Sequence, residues 1–208
     1  MKKIIGIISN TVKFTEDPFL NRYYTLDTFV SKIKEIGGIP IIIPPVNLVL
    51  NEEAMDLCDA FLIPGGCLVK DYHLDVVDYV LKHKKKLLGI CMGMQVIGMY
   101  ANKDNKEKTL EEIKNHYVDE GITVLNKEVL VHDIVISKDS KLYQILKIDK
   151  MTVNSIHHYA LKYVSKPFKV VAKDNDIIEA IEYENIIVVQ FHPELLHSCN
   201  KLFKWLVS

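Results

Sequence analysis

The sequence predicts an α/β protein: a mostly parallel central sheet flanked by helices on both faces, with a small antiparallel extension in the second half. Three observations carry this. Strand-like and helix-periodic segments alternate four times between Lys3 and Tyr100, the pattern of parallel strands joined by helical crossovers. The strands in that stretch are short, unbroken apolar runs, as strands covered on both faces require. Beyond Val129 the strand-like runs are separated by turn residues instead of helices. A chain of 208 residues suits one domain, so residues 1–208 read as a single unit.

Lys3 to Ser9 (KIIGIIS) is a buried strand ended by Ser9-Asn10. From Tyr24 to Ile36, Leu26, Phe29, Val30, Ile33 and Ile36 fall on one helical face, and Gly37-Gly38 gives the stop signal. Ile39 to Ile43 is a second buried strand, closed by Pro44-Pro45. A short helix holds Ala54 to Cys58, and a third strand, Ala60 to Ile63, ends at Pro64-Gly65-Gly66. Leu74, Val77, Val80 and Leu81 line the helix Leu74 to His83, with Lys84-Lys85-Lys86 at the end where cations suit the helix dipole. Leu87 to Ile90 is a fourth strand and Met92 to Tyr100 the helix after it. The charged stretch Lys103 to Lys108 is a connecting loop. Val129 to Ser137, Met151 to Val153, Lys169 to Ala172, Ile177 to Ile181 and Ile186 to Gln190 are strands, with hairpin turns at Asn175-Asp176 and Glu184-Asn185. Lys141 to Leu146 and Lys201 to Leu206 are short helices.

Composition narrows the function. Lys and Arg total 26 against 27 Asp and Glu, a formal net charge of −1, which argues against a nucleic-acid binder. No apolar stretch approaches the roughly 20 residues of a membrane helix, so no membrane association is expected. The apolar run behind Lys2-Lys3 is too short for a signal peptide and lacks a cleavage site, so a cytoplasmic location is expected. Cys58, Cys67, Cys91 and Cys199 form no CxxC pair and read as reduced thiols.

One cysteine stands apart. Gly89-Ile90-Cys91-Met92-Gly93 lies where a buried strand turns into a helix, with the G-x-nucleophile-x-G form of a nucleophile elbow. A sharp turn lifts the nucleophile clear of the sheet, and side chains two positions to either side would strike neighbouring backbone. The helix that begins at Met92 aims its free N–H groups at the sulfur and favours the thiolate. A cysteine nucleophile wants a base, and Gln190-Phe191-His192-Pro193-Glu194 ends the last strand. Pro193 holds His192 extended, and in an extended chain His192 and Glu194 share a side, so the carboxylate can orient the imidazole. Pro64-Gly65-Gly66 is a loop able to turn N–H groups toward the nucleophile and, with that of Met92, to form an oxyanion hole.

Taken together, Ile63 to Gly66, Gly89 to Gln95 and Gln190 to Glu194 resemble class I glutamine amidotransferase domains in order and spacing. Within that superfamily the chain is most similar to the gamma-glutamyl-gamma-aminobutyrate hydrolase group of cysteine peptidases. The segments that carry this are Tyr24 to Pro45, Val153 to His158 and Ala172 to Ile181. The resemblance runs nearly end to end. It implies a flavodoxin-like sheet and a Cys91–His192–Glu194 triad, with oxyanion donors on Gly66 and Met92. It implies that Gln95, Ser155, His157 and His158 line the pocket for a small gamma-glutamyl substrate.

The chain departs from that pattern around the pocket. Met92 replaces a frequent arginine, Tyr159 a frequent glutamine, and Cys67 to Leu74 is short. These changes bear on the leaving group, not on the triad. The expected activity is therefore cysteine-dependent hydrolysis of a gamma-glutamyl amide bond through a glutamyl thioester. The alternative is a glutaminase subunit that delivers ammonia to a synthetase partner. No cofactor is expected. His157, His158, His192 and His197 lack the spacing of a known metal site, so no metal is expected either. Self-association into a homo-oligomer stays open.

Overall fold

The computed structural model describes residues 1–12, 21–114, 116 and 130–208. In chain order the strands are β1 (Ile4–Ile8), β2 (Asn10–Val12), β3 (Arg22–Tyr24), β4 (Ile39–Ile43), β5 (Ala60–Ile63), β6 (Lys86–Ile90), β7 (Leu110–Glu112), β8 (His132–Ile136), β9 (Lys150–Val153), β10 (Tyr159–Leu161), β11 (Lys169–Asp174), β12 (Ile177–Tyr183) and β13 (Ile186–Val189). The helices are α1 (Asp27–Glu35), α2 (Glu52–Asp56), α3 (Asp71–His83), α4 (Met92–Ala101), α5 (Lys141–Leu146) and α6 (Asn200–Leu206).

Nine strands form one sheet in the order β4-β1-β5-β6-β13-β12-β11-β8-β9. The first five are parallel neighbours, each crossover between them carrying a helix or a longer excursion. From β13 onward every pairing is antiparallel. The fold class is the one the sequence predicts, but the antiparallel part is four strands of nine, continuous with the parallel part. β13 is the hinge of the topology, parallel to β6 on one side and antiparallel to β12 on the other.

Period-two alternation within the strands splits the core into two layers. Leu88, Ile90, Ile187 and Val189 face one way and pack with Phe29 and Ile33 of α1, Leu142 of α5 and Phe203 of α6. Leu87, Ile186 and Val188 face the other way and pack with Met55 of α2, Val77 and Val80 of α3, and Ile97 of α4. Helices therefore cover both faces, as the unbroken apolar runs require. Burying an aliphatic side chain here contributes roughly 1.5–3 kcal/mol.

Some local readings differ. β4 is the sheet edge, so Ile39 and Ile42 are exposed, not buried. Lys103–Lys108 is 3-10 helical instead of a loop. The β2–β3 and β7–β10 pairs are too short to show a periodicity and leave no signal in the sequence. The turns at Asn175 and Glu184 lie where expected, each with a positive φ. The predicted strand from Val129 begins at His132, and Val129 itself lies outside the described residues.

Candidate active site

Four chain segments meet at the carboxyl ends of the parallel strands, the usual binding crevice of an open α/β sheet. Asn10 follows β1, Gly65-Gly66 follows β5, Cys91 follows β6 and His192 follows β13.

Cys91 is the turn residue between β6 and α4, with φ 51° and ψ −102°. A non-glycine residue there is strained, and the surroundings hold it. Its N–H donates to the Val189 carbonyl at 2.9 Å, while its own carbonyl accepts from Met94 at 3.0 Å and Gln95 at 3.2 Å. The amides just ahead, of Met92 and Gly93, are the two the helix itself cannot satisfy. The bracketing glycines are there for space. A Cβ on Gly89 would sit 2.6 Å from Val188, and one on Gly93 would strike the Ile63 carbonyl.

His192 is held from three directions. Its Nδ1 lies 2.7 Å from Glu194 Oε1, a short, charge-assisted contact inside a buried setting. Its backbone N–H donates to Asn154 Oδ1 at 2.7 Å, and its carbonyl accepts from Asn154 Nδ2 at 2.9 Å. Burial opposes charge on the ring, but the Glu194 carboxylate, and after it a Cys91 thiolate, outweigh that and hold the imidazole well above its ordinary range. With Nδ1 committed to Glu194, Nε2 is the nitrogen left for Cys91.

The Gly65-Gly66 turn is wedged between two side chains. A Cβ on Gly65 would lie 2.8 Å from His192 Cε1 and 3.6 Å from Cys91 Cβ. A Cβ on Gly66 would lie 2.6 Å from Asn10 Oδ1. Asn10 Nδ2 donates to the Gly65 carbonyl at 2.8 Å and fixes the turn. Tyr72 braces the same corner, its hydroxyl donating to the Ser9 carbonyl at 2.7 Å.

The structure thus brings together Cys91, His192, Glu194, Gly65, Gly66 and the start of α4. Gln95 sits one turn into α4, half-buried, with Nε2 donating to the Tyr159 carbonyl at 3.3 Å. Ser155 is fully buried, and His158 is exposed at the base of β10. His157 turns inward instead. It is 2 % exposed, with Nδ1 3.1 Å from the Tyr159 carbonyl and Nε2 3.5 Å from Glu179. There it joins His116, His132 and Glu179, whose ligand atoms all lie within 4.8 Å of one another. Of the four histidines considered together from sequence, only His157 enters this group. Sequence reasoning missed two positioning residues. Asn10 reads as a strand terminator, and Asn154 is one polar residue in a loop. Neither has a spacing signal, because each acts on a residue distant in the chain.

The site thus sets a cysteine on a strained strand-to-helix turn beside a carboxylate-held histidine, at the mouth of a sheet covered on both faces. The chain belongs to the Peptidase C26 family, which matches residues 3–75 and 70–194. It is 27% identical to the protein NtpR of Enterococcus hirae, covering 96% of this chain and 94% of that one. It is 31% identical to the glutamine amidotransferase-like protein RP404 of Rickettsia prowazekii, covering 100% of this chain and 97% of that one. In fold it matches the glutaminase domain of Trypanosoma brucei CTPS, solved with bound acivicin, with a TM-score of 0.70 at 16% identity over 98% of this chain and 91% of that one. Family and relatives make this a hydrolase-type enzyme of the cysteine-dependent glutamine amidotransferase class. No helix among the described residues is long and apolar enough to cross a membrane.

Proposed function

We infer that the protein hydrolyses the gamma-glutamyl amide bond of small gamma-glutamyl amines resembling gamma-glutamyl-gamma-aminobutyrate, with Cys91, His192 and Glu194 as the catalytic triad. The observation that carries this is the geometry around His192: its Nδ1 is 2.7 Å from Glu194, and Cys91 is on the strained turn facing the other edge of the ring. In the first step Cys91 passes its thiol proton to His192 Nε2, its Sγ attacks the gamma-carbonyl carbon, and the π pair moves to oxygen. N–H groups of Met92 and Gly66 receive that oxyanion, each donor worth roughly 3 kcal/mol. His192 Nε2 then gives its proton to the departing amine as the C–N bond breaks, leaving a glutamyl thioester. In the second step water attacks the thioester carbon and passes a proton to His192, and the C–S bond breaks to release glutamate. Each proton transfer is typically worth 10²–10⁴-fold.

Gln95, Ser155 and His158 are the side chains we assign to the glutamyl group. His157, with both ring nitrogens facing protein atoms, would act on the pocket only through the position of its loop. A second reading has a specific observation behind it: the matching T. brucei structure is a glutaminase domain. On that reading the same triad frees ammonia from glutamine for a synthetase partner.

Glutamate release separates the two. We expect rapid turnover of gamma-glutamyl-gamma-aminobutyrate by the isolated protein, slower turnover of glutamine, and neither with Cys91→Ala. Turnover of neither substrate by folded protein would overturn the hydrolase reading and favour the partner-dependent one.

A further inference from the structure

Away from the triad, three imidazoles converge on one carboxylate oxygen. His116 Nε2 is 3.1 Å from Glu179 Oε1, His157 Nε2 is 3.5 Å from it, and His132 Nε2 is 3.8 Å from it. Glu179 is fully buried on β12, His157 lies in the turn between β9 and β10, His132 opens β8, and His116 lies beyond β7. Only the His116 spacing is a normal hydrogen bond; the other two are too long. His132 Nε2, His157 Nε2 and Glu179 Oε2 are buried without a hydrogen-bond partner among the described residues. Orphaned polar atoms converging on one point cost free energy unless something sits between them.

The spacings fit a metal ion. Ligands about 2.0–2.1 Å from a tetrahedral Zn²⁺ stand roughly 3.3 Å apart, against 3.1–3.8 Å from Glu179 Oε1 to the three nitrogens and no more than 4.8 Å between any two ligand atoms. Carboxylate and carbonyl oxygens face the opposite ring edges, the kind of group found around metal-bound histidines. His116 Nδ1 and His132 Nδ1 are each 3.5 Å from Asp174 Oδ2. His157 Nδ1 is 3.1 Å from the Tyr159 carbonyl. The Tyr159 carbonyl occupies His157 Nδ1 and leaves its Nε2 lone pair pointing inward, whereas Asp174 stands at ion-pair distance from the other two rings and His132 Nδ1 has no hydrogen-bond partner among the described residues. Every ion pair of Glu179 and Asp174 among the described residues is with one of these histidines, while Asp174 Oδ1 also accepts from Asn175 Nδ2 at 2.9 Å.

We propose that His116, His132, His157 and Glu179 form a closed, four-coordinate site for a Zn²⁺-class divalent cation, with Asp174 as its outer-shell carboxylate. Three imidazoles and one carboxylate suit Zn²⁺ and leave no open position for water, so the ion is structural, not catalytic. Its place explains its use. His157 and Glu179 tie the β7–β10 ribbon to the nine-stranded sheet, and His157 is three residues from Asn154, which holds the His192 backbone. The ion fixes the wall of the active site from behind.

The test is metal binding itself. Full-length protein is stripped with a chelator, dialysed, and titrated with ZnCl₂ against a chromophoric chelator and with CoCl₂ by visible absorption. We expect one ion per chain, tetrahedral Co²⁺ bands and a raised melting temperature. Cys91→Ala should bind as wild type, which excludes capture by the Cys91–His192 pair. His132→Ala should lose the ion, and Asp174→Asn should weaken it by roughly 10–100-fold. If folded wild-type protein takes up no stoichiometric Zn²⁺ or Co²⁺, the proposal is wrong. It is equally wrong if uptake survives His132→Ala and vanishes with Cys91→Ala.

Discussion

The two halves of the sheet divide the labour of the site. The parallel half supplies Cys91, the sulfur we assign as nucleophile, and its immediate frame. Cys91, Gly65-Gly66 and Asn10 all stand at strand ends, on elements buried on both faces. The antiparallel half supplies position: Asn154 after β9 grips the His192 backbone, and Glu179 of β12 anchors the histidine group. The contrast teaches that the Cys91 sulfur is placed by packing and strain, whereas the His192 ring is placed by a few polar contacts, one from Glu194 close by and two from Asn154 far along the chain.

That division can be broken from either side. The largest effect should come from the parallel half: Cys91→Ala should lower turnover by at least about 10⁴-fold with the fold intact by circular dichroism. Loss of less than tenfold would remove Cys91 from the chemistry. Acid should next unsettle the same half. His73 of α3 is fully buried, and burial pushes its pKa down to about 4 from 6.5. Below pH 6.5 the unfolded chain therefore binds the proton first. Stability is complete above that pH and falls by about 3 kcal/mol as pH drops toward 4. Urea unfolding at pH 7 and 4.5 should show this drop in wild type and a smaller one in His73→Asn. Equal drops would place the acid sensitivity elsewhere.

The antiparallel half should answer more softly. Asn154→Ala frees the His192 backbone, and kcat should fall by about 10²-fold while KM and melting temperature move little. A change in KM or melting temperature alone would make Asn154 merely structural. Smallest is Gly93→Ala. The added methyl group meets the Ile63 carbonyl and should cost about 2 kcal/mol in unfolding free energy, read from the urea midpoint. A neutral result would mean the β6–α4 turn relaxes more easily than its packing suggests.

The same contrast governs what the sequence discloses. Leu87–Ile90 and Ala60–Ile63 announce themselves because a doubly covered strand must be apolar throughout. The Cys91 elbow is legible because its glycines are forced by local contacts, with Val188 and Ile63 near. His192 and Glu194 are legible as a pair two residues apart, but a 3-10 turn over Pro193–Leu195, not the extended chain the sequence suggests, brings the carboxylate to the ring. Ile39 and Ile42 mislead, since an apolar run does not say whether its strand is central or at the edge. Asn154, His116, His132, Asp174 and Glu179 are silent, and His157 speaks only through the resemblance. They come from separate segments, and the pairing of β8, β11 and β12 joins only His132, Asp174 and Glu179.

The most direct test of the account is to catch the covalent intermediate. The protein is mixed with gamma-glutamyl-gamma-aminobutyrate, quenched in acid during turnover, and its intact mass recorded, with peptide mapping to locate any addition. The account predicts one glutamyl group on Cys91 in wild type and none in Cys91→Ala. Turnover with no adduct in wild type, or an adduct mapped to another residue, would contradict it.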